Sequence, residues 1–236
     1  IKIKRTSIYA SLVVTSLIVL ITAPYWVSAY WLTMLIYLLW IIYLASAWHL
    51  TYRGALFSLM HGIFLGAGAY TSTLLWIHFD ISPWLGMVAG VVLSVLLALA
   101  TGWLILRGAI SHVAFAAMTL AFSMIAVFIV SSITSIGGTR GIAMTPPSTD
   151  NPVNFQWVSS VPYYYIMLFL AICVVILSYY IMKSRLGLRL KASAHNPRLA
   201  ALSGVNLLST RMAVFVISAA LFSIAGTFWA QYTHFV

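Results

Sequence analysis

Hydroxyl, phenol and imidazole side chains are the groups within the apolar segments of this chain that could contact a passing solute. The candidates are Ser58, His61, Tyr70, Thr71, Thr119 and Ser123. They could offer a solute weak hydrogen bonds without holding it by a fixed charge, whereas packing between membrane helices would explain each of them equally. Their chemistry predicts a low-affinity pathway and not a tight binding site.

Carboxylate groups, which serve most coupled transport and acid–base catalysis, are almost missing. The sequence has 2 acidic residues, Asp80 and Asp150, and both fall outside the apolar segments. Carriers coupled to protons or sodium usually keep an intramembrane acid, so a self-powered carrier is disfavoured. Acid–base and metal catalysis are disfavoured as well, because acids are scarce and no HExxH spacing occurs. Since the chain also lacks a GxxxxGK(S/T) phosphate loop, we expect no ATPase site, no enzyme activity, no metal and no cofactor.

The elements that must position these side chains are long apolar segments. Hydrophobic residues make up 63% of the chain and charged residues 6%, with a mean hydropathy of +1.06. A soluble domain of this length could not bury so much apolar surface. Segments of membrane-spanning length lie at about 7–23, 29–51, 62–79, 83–106, 109–132, 161–182 and 211–231. The sequence therefore predicts an all-α polytopic membrane protein with about seven transmembrane helices, forming a single transmembrane domain over 1–236.

The basic residues predict which way the chain crosses the membrane. The chain has 12 Lys and Arg residues, and all except Arg140 fall on one set of alternate connections. By the positive-inside rule, those connections and the N-terminus are cytoplasmic, and Arg140 lies outside. Because the basic residues are spread between lipid-length segments, they indicate orientation and not a nucleic-acid-binding face. Segment 7–23 follows Lys2, Lys4 and Arg5 as a signal peptide would, but we interpret it as a span.

Polar and small residues indicate a break between the second and third segments. Residues 54–60, which include Ser58, predict a short broken or re-entrant element at the entry to the span. His61 follows this element. Its imidazole could face a pathway, or it could be packed and hydrogen-bonded in the helix bundle.

Glycine pairs at helical spacing predict close contacts between helices. Gly62 and Gly66 form a GxxxG pair in the third segment, and Gly86 and Gly90 repeat the pattern in the fourth. Glycines at this spacing let two membrane helices approach closely.

The outer connection, residues 132–160, is rich in glycine and proline, which favours turns. Its GGTRG sequence contains Gly138, Thr139 and Arg140, which we add to the candidate substrate pathway. The Arg140 guanidinium would favour an anionic group at the outer mouth.

The inner connection, residues 183–210, predicts a cytoplasmic coupling loop with a short helix. Asn196 is a good N-cap, Pro197 suits the first helical position, and Gly204 can end the helix, which places it at about 197–203. Its apolar side would consist of Leu199, Ala200 and Leu202, with Arg198 in solvent. The helix could rest on the membrane surface, or it could dock a cytoplasmic partner.

Three parts of the chain carry a family resemblance. They are SLMHGIFLGAGAYTSTLL from Ser58, MTLAF from Met118 with GGTRGI from Gly137, and SRLGLRLKASAHNPRLAALSGVN from Ser184 continuing into MAVFVISAALFSIAGTFWAQY from Met212. In this order, over about residues 37–236, they resemble the integral membrane subunits of branched-chain amino acid ABC importers, of the LivM type. The chain departs from that family at Met60, where glycine is common, and at Arg140, where an acid or amide is common.

The resemblance implies a permease of the bacterial inner membrane that imports branched-chain or other hydrophobic amino acids. The implied partners are two cytoplasmic ATP-binding subunits, a second homologous permease subunit and a periplasmic substrate-binding protein, with no nucleic acid. Coupling to the ATPase would fall on Asn196, Pro197, Arg198, Leu199, Ala200, Leu202 and Gly204. Such permeases usually continue for further helices, so the chain is expected to be C-terminally short.

Two alternatives stay open at this point. The same architecture could import urea, short amides, or an aromatic or organic anion, the last favoured by Arg140. A different class would be a non-transporting membrane subunit of a larger complex, which would bind no ATPase.

Overall fold

The structure is a computed structural model that describes residue 15 and residues 18–54, 56–108 and 112–236. Its helices are α1 (Ala29–Arg53), α2 (His61–Phe79), α3 (Pro83–Leu106), α4 (His112–Ser132), α5 (Ser160–Lys183), α6 (Arg185–His195), α7 (Pro197–Leu202) and α8 (Leu207–Thr233). Short 3₁₀ turns lie at Ala23–Tyr25, Thr134–Ile136, Gly138–Arg140 and Pro152–Asn154. Extended pairing within these described residues is limited to isolated bridges of Ala143 with Phe235 and of Asn151 with Gln156.

Five of these helices, α1, α3, α4, α5 and α8, are long and apolar enough to cross a membrane. The predicted spans at 29–51, 83–106, 109–132, 161–182 and 211–231 match them to within about one helical turn at either end. The predicted class is therefore confirmed: the described chain is an all-helical multi-pass membrane protein.

The two other predicted spans differ from these five. Segment 62–79 forms the 19-residue helix α2, but its many Gly, Ala, Ser and Thr residues leave it outside the strongly apolar group. Segment 7–23 lies mostly outside the described residues. Its helical end is tied to α5, because the hydroxyls of Tyr164 and Tyr165 donate to the carbonyl oxygens of Leu20 and Ile21, at 2.7 and 3.0 Å. The count of about seven spans stays a prediction.

Helix α8 lies at the centre of the fold. Of its most apolar 18 residues 61% are buried, against 11% in α4. Helices α1, α2 and α3 all pack against α8, and α5 packs mainly against α1. The Tyr43 hydroxyl and the Trp40 indole of α1 donate to the carbonyl oxygens of Leu221 and Ala225 on α8, at 2.9 and 3.2 Å. Helix α4 is therefore peripheral, with most of its apolar surface exposed.

Glycines bring α2, α3 and α8 into backbone contact. A Cβ atom at Gly226 would lie 1.9 Å from the carbonyl oxygen of Leu65, and one at Gly68 would lie 2.0 Å from that of Ser223. A Cβ atom at Gly90 would lie 2.9 Å from the Cα atom of Gly68. No side chain fits between these backbones, so the three helices form a closely packed unit, here called the glycine bundle (α2, α3 and α8).

The predicted glycine contacts are confirmed in α3 and wrong in α2. Gly86 and Gly90 both contact α2, the former at 2.7 Å between a built Cβ and the Cα atom of Ser72. By contrast, a Cβ atom at Gly62 or Gly66 would meet nothing within 4 Å. The GxxxG spacing was present in α2, but Gly68 makes the close contact because it lies on the face that meets α8.

Candidate functional site

Residues 56–60, between α1 and α2, are non-helical and mostly buried. Leu56, Ser58 and Met60 are 3%, 1% and 0% exposed. The Trp48 indole donates to the Ser58 carbonyl oxygen at 3.1 Å, and the Leu59 amide donates to the Thr119 hydroxyl of α4 at 3.1 Å. Irregular backbone at membrane depth needs partners of this kind, because lipid cannot satisfy its polar groups.

His61 begins α2 beside this segment and is 4% exposed. Its Nε2 atom lies 2.9 Å from the Ser218 hydroxyl, which donates to the Ala47 carbonyl oxygen at 2.9 Å. Which of the two groups donates this hydrogen bond depends on the tautomer of the imidazole. The ring also packs on Phe222, with 4.6 Å between centroids. The described contacts are those of the packed, hydrogen-bonded histidine, and they join α1, α2 and α8.

The other predicted pathway residues fall into two groups. Ser58 and Thr119 are buried near His61, because the Thr119 hydroxyl binds the chain next to Ser58. Tyr70 and Thr71 are half-buried and lie further along α2, about 15 Å from His61 along the helix axis. Ser123, also half-buried, lies one turn beyond Thr119 on α4. The structure therefore brings Ser58, His61 and Thr119 together, apart from Tyr70 and Thr71.

Gly138, Thr139 and Arg140 form a 3₁₀ turn in the connection after α4. Thr139 and Arg140 are exposed, and Gly138 takes a positive φ of 55°. This turn lies at the α4 end opposite to the one that Leu59 and Thr119 join, so its three residues are not part of the His61 group. Nothing in the described contacts gives Arg140 a partner in the pathway.

The chain after this turn pairs with the end of α8. The Ile142 amide donates to the Val236 carbonyl oxygen at 2.7 Å, and the Met144 amide donates to that of His234 at 2.8 Å. Partial burial lowers the pKa of the His234 imidazole, which is therefore neutral at neutral pH. The outer connection is thus fixed to α8.

A small polar cavity of about 260 Å³ lies in this connection, and the sequence did not predict it. Hydroxyl and amide side chains line it, together with Trp76 and two prolines; they are Thr145, Ser148, Thr149, Asn151, Asn154 and Gln156. No charged side chain lines it. The cavity could hold a small solute by hydrogen bonds alone.

The opposite end of the bundle carries α6 and α7. Helix α7 spans Pro197–Leu202, with the Asn196 side chain accepting from the Leu199 amide at 3.1 Å. The predicted helix at about 197–203 is therefore confirmed as a structural element, and Gly204 follows it with φ 81°. Ala200 is buried, whereas Leu199 and Leu202 are 60% and 84% exposed. The predicted apolar residues of α7 therefore do not share one face, because Ala200 packs against the protein while Leu199 and Leu202 face outward.

Helix α6 precedes α7 and was not predicted, although its sequence carries the signal. Gly187, Leu190 and Ser193 are buried at helical spacing, and the basic residues between them are exposed. The Arg211 guanidinium donates to the Ser193 carbonyl oxygen at 3.4 Å, which joins α6 to α8. Apolar spacing of this kind predicts an amphipathic helix.

Buried polar residues of α8 also lie in this region, and the sequence did not predict their part in it. Ser218, Ser223, Thr227 and Gln231 are all 0% exposed. The Thr227 hydroxyl donates to the Gly68 carbonyl oxygen at 3.0 Å, and Gln231 accepts from Gln156 at 2.8 Å. Their near four-residue spacing along α8 was the available sign of a polar stripe facing the other helices.

A metal centre has no support in the part of the chain that is described, where no group of three or more His, Cys, Asp or Glu side chains could hold an ion. The candidate site consists instead of neutral polar groups.

Comparison with known proteins identifies the class. The sequence matches the family described as branched-chain amino acid transport system, permease component, over residues 29–236. No curated protein and no solved structure matches the chain. The chain therefore belongs to this permease family, whose members are membrane subunits of ABC transporters and associate with ATP-binding and substrate-binding components.

Proposed function

We propose that the chain is the membrane-spanning subunit of an ABC importer for branched-chain or other hydrophobic amino acids. A separate substrate-binding protein delivers the cargo, and two ATP-binding subunits bind on the side of α6 and α7, beside a second permease subunit. In this proposal the N-terminus is cytoplasmic, the membrane is the bacterial inner membrane, and segment 7–23 and α2 complete about seven spans. Residues 54–60 are the re-entrant element, and 1–236 is one transmembrane domain.

The single observation that carries this proposal is the surface of α7. Leu199 and Leu202 are exposed on a capped helix outside the apolar spans, with Arg198 beside them. An exposed apolar pair with a neighbouring arginine is typical of a protein–protein contact. ATP-driven closure of the partner would push α7 and thereby rock the spans, while Asn196, Pro197, Ala200 and Gly204 keep the helix in place.

The neutral polar groups support a weak pathway for the cargo. Ser58, His61 and Thr119 form the inner group, Tyr70, Thr71 and Ser123 lie further along the helices, and Gly138, Thr139 and Arg140 mark the outer mouth. An ionised group at the bilayer centre costs roughly 2.5–3.5 kcal/mol on insertion scales. The predicted spans of this chain have no charged residue near their centres. An amino acid zwitterion has no net charge, and its ammonium and carboxylate groups can form hydrogen bonds with the neutral polar groups of the inner group and of the outer cavity.

The test replaces Arg198, Leu199 and Leu202 together by Asp. We expect the ATP-binding subunits to be lost from the purified complex, because aspartates replace the apolar pair and reverse the charge. Val153→Asp with Val158→Asp is the control, because both valines are exposed, at 69% and 64%, and lie in the connection at the other end of the bundle. Subunit content is read from affinity-purified membranes, and monodispersity of the permease by size-exclusion chromatography.

Two results would contradict the proposal. The triple variant could keep its ATP-binding subunits, which would remove α7 as the docking helix. Alternatively, no ATP-binding subunit could co-purify with the unaltered chain, which would favour a non-transporting membrane subunit.

A second candidate keeps the architecture and carries urea or a short amide. The uncharged cavity of about 260 Å³ favours it, because hydroxyl and amide groups match such a cargo. Uptake of labelled leucine and labelled urea into cells that express the whole transporter separates the two. Leucine uptake that excess urea does not reduce supports the first proposal, and the reverse result supports the second.

A further inference from the structure

A cluster of basic side chains with no acid near it lies where α1, α5 and α6 meet. Arg53 is the last residue of α1, and Lys191 lies on α6. The chain has 2 acidic residues, Asp80 and Asp150. Asp80 follows the far end of α2, about 28 Å along that helix, and Asp150 lies in the outer connection. No carboxylate of this chain can therefore neutralise the cluster.

Two cavities open on either side of the same three side chains, His49, Arg53 and Lys191. One, of about 310 Å³, lies between α1 and α5, and the other, of about 780 Å³, lies between α1 and α6. Each combines this basic end with an apolar or aromatic wall, which includes Leu50 and Val175 in the first cavity. A ligand that filled either cavity would contact both kinds of surface.

The aromatic wall of the larger cavity is built by Trp48, Tyr52 and Phe57. The Trp48 ring stacks on Tyr52 and meets Phe57 edge-on, with centroids 5.5 and 5.4 Å apart. Aromatic residues of this kind are enriched where membrane proteins meet the headgroup region. The cavity reaches back along α1 to Ala45, about 12 Å from Arg53 along the helix axis, and so enters the apolar part of the span.

The guanidinium of Arg53 is held in one orientation. Its Nε atom donates to Nε2 of His49, one turn earlier on α1, at 2.6 Å. Because Nε is occupied, the two terminal nitrogens remain to bind an anion, and a guanidinium binds phosphate through two parallel hydrogen bonds. Lys191 adds a second positive charge to the same space.

We propose that these paired cavities bind the headgroup of an anionic phospholipid from the surrounding bilayer. Arg53 and Lys191 bind its phosphate, and the acyl chains lie along α1 against Ala45, Trp48 and Leu50. A free phosphate would use the basic end alone. A soluble partner could not reach Ala45, which lies within the membrane-spanning helix. Basic pockets between membrane helices are a recognised mode of anionic lipid binding.

The experiment measures binding of phosphatidylglycerol to the purified complex that contains the full chain, by native mass spectrometry in a mild detergent. Phosphatidylcholine of the same acyl composition is the neutral comparison. The test variant is Arg53→Gln with Lys191→Gln. The control variant is Arg185→Gln with Arg189→Gln, which removes the same charge from α6 at residues that line neither cavity.

The expected result is tighter binding of phosphatidylglycerol than of phosphatidylcholine, and a selective loss in the test variant. Each basic side chain near an anionic headgroup contributes roughly fivefold, so the double replacement should weaken binding about 25-fold. The control variant should bind as the unaltered chain does. If the double variant is poorly folded, Lys191→Gln alone, at an exposed lysine, should still show about fivefold weakening.

Three outcomes would overturn the proposal. Equal binding of the two lipids would remove the charge recognition. Equal loss in the test and control variants would assign the effect to general surface charge. Displacement of phosphatidylglycerol by millimolar inorganic phosphate would reassign the site to a free anion.

Discussion

The glycine bundle and the α6–α7 segment differ in whether large side chains lie at their helix surfaces. In the bundle, backbones of α2, α3 and α8 touch directly, because Gly68, Gly90 and Gly226 leave no side chain between them. In α7, by contrast, Leu199 and Leu202 extend outward and contact little of the chain. In the bundle, small residues keep the helices in one geometry, whereas in the proposed docking helix α7 large side chains are exposed to a partner. The difference separates residues whose replacement should break the fold from residues whose replacement should break an association.

The largest effect should follow Gly226→Ala in the bundle. The added Cβ atom would lie 1.9 Å from the Leu65 carbonyl oxygen, and neither backbone can turn away as a flexible side chain could. We expect a loss of stability of about 3 kcal/mol, at the upper end of the usual cost of overpacking. Thermal unfolding of the purified protein, followed by size-exclusion chromatography, measures it.

Gly66→Ala is the matched control for that change. It adds the same methyl group to a glycine of α2 that has nothing within 4 Å. Its unfolding temperature should equal that of the unaltered chain or exceed it, because Ala favours helix. Equal destabilisation by the two variants would mean that close backbone contact is not what the bundle requires.

An intermediate effect is expected from Thr119→Val, at the junction of α4 with residues 56–60. The Leu59 amide would lose the hydroxyl that accepts its hydrogen bond, which belongs to a fully buried side chain. Such an unpaired group costs about 1–3 kcal/mol. Ser123→Ala removes a hydroxyl one turn further along α4 and should cost less. If Ser123→Ala lowered the unfolding temperature as much, the Leu59 contact would not be the cause.

The smallest effect should come from removing a helix cap, and it should differ between the two regions. Asn196→Ala removes the cap of α7, which has 6 residues, and Asn206→Ala removes an equivalent cap of α8, which has 27 residues. An N-cap contributes about 1 kcal/mol to its helix. In α7 this loss should weaken retention of the ATP-binding subunits several-fold. In α8 extensive packing should leave retention unchanged, and similar losses from both variants would remove the distinction.

The sequence predicted helix positions well, because the length of an apolar segment is set by the membrane and needs no knowledge of contacts. It predicted the cap and position of α7 from Asn196 and Pro197 for a related reason, since capping is local. It failed for Gly62 and Gly66, because spacing within one helix does not say which face meets another helix. Gly68 could be recognised as the contact residue only from the packing of α8.

The candidate site was less predictable than the fold. Ser58, His61 and Thr119 were singled out by their polarity, but their shared contacts depend on how residues 56–60, which connect α1 to α2, pass between Trp48 of α1 and Thr119 of α4. The cavity lined by residues 145–156 depends on the path of a long loop, which no periodic pattern describes. Ser218 is the hydrogen-bond partner of His61. In the sequence, the sign of this role is its position on the polar stripe of α8.

Helix α8 connects the two ends of the molecule as one continuous rod. Its 27 residues extend about 40 Å. At one end it follows α7 after Gly204, and at the other the residues that follow it, His234 and Val236, are hydrogen-bonded to Met144 and Ile142. An α-helix shortens very little under an axial load, so a displacement delivered to α7 must either be absorbed by rotation at Gly204 or arrive at the outer loop with nearly its full amplitude.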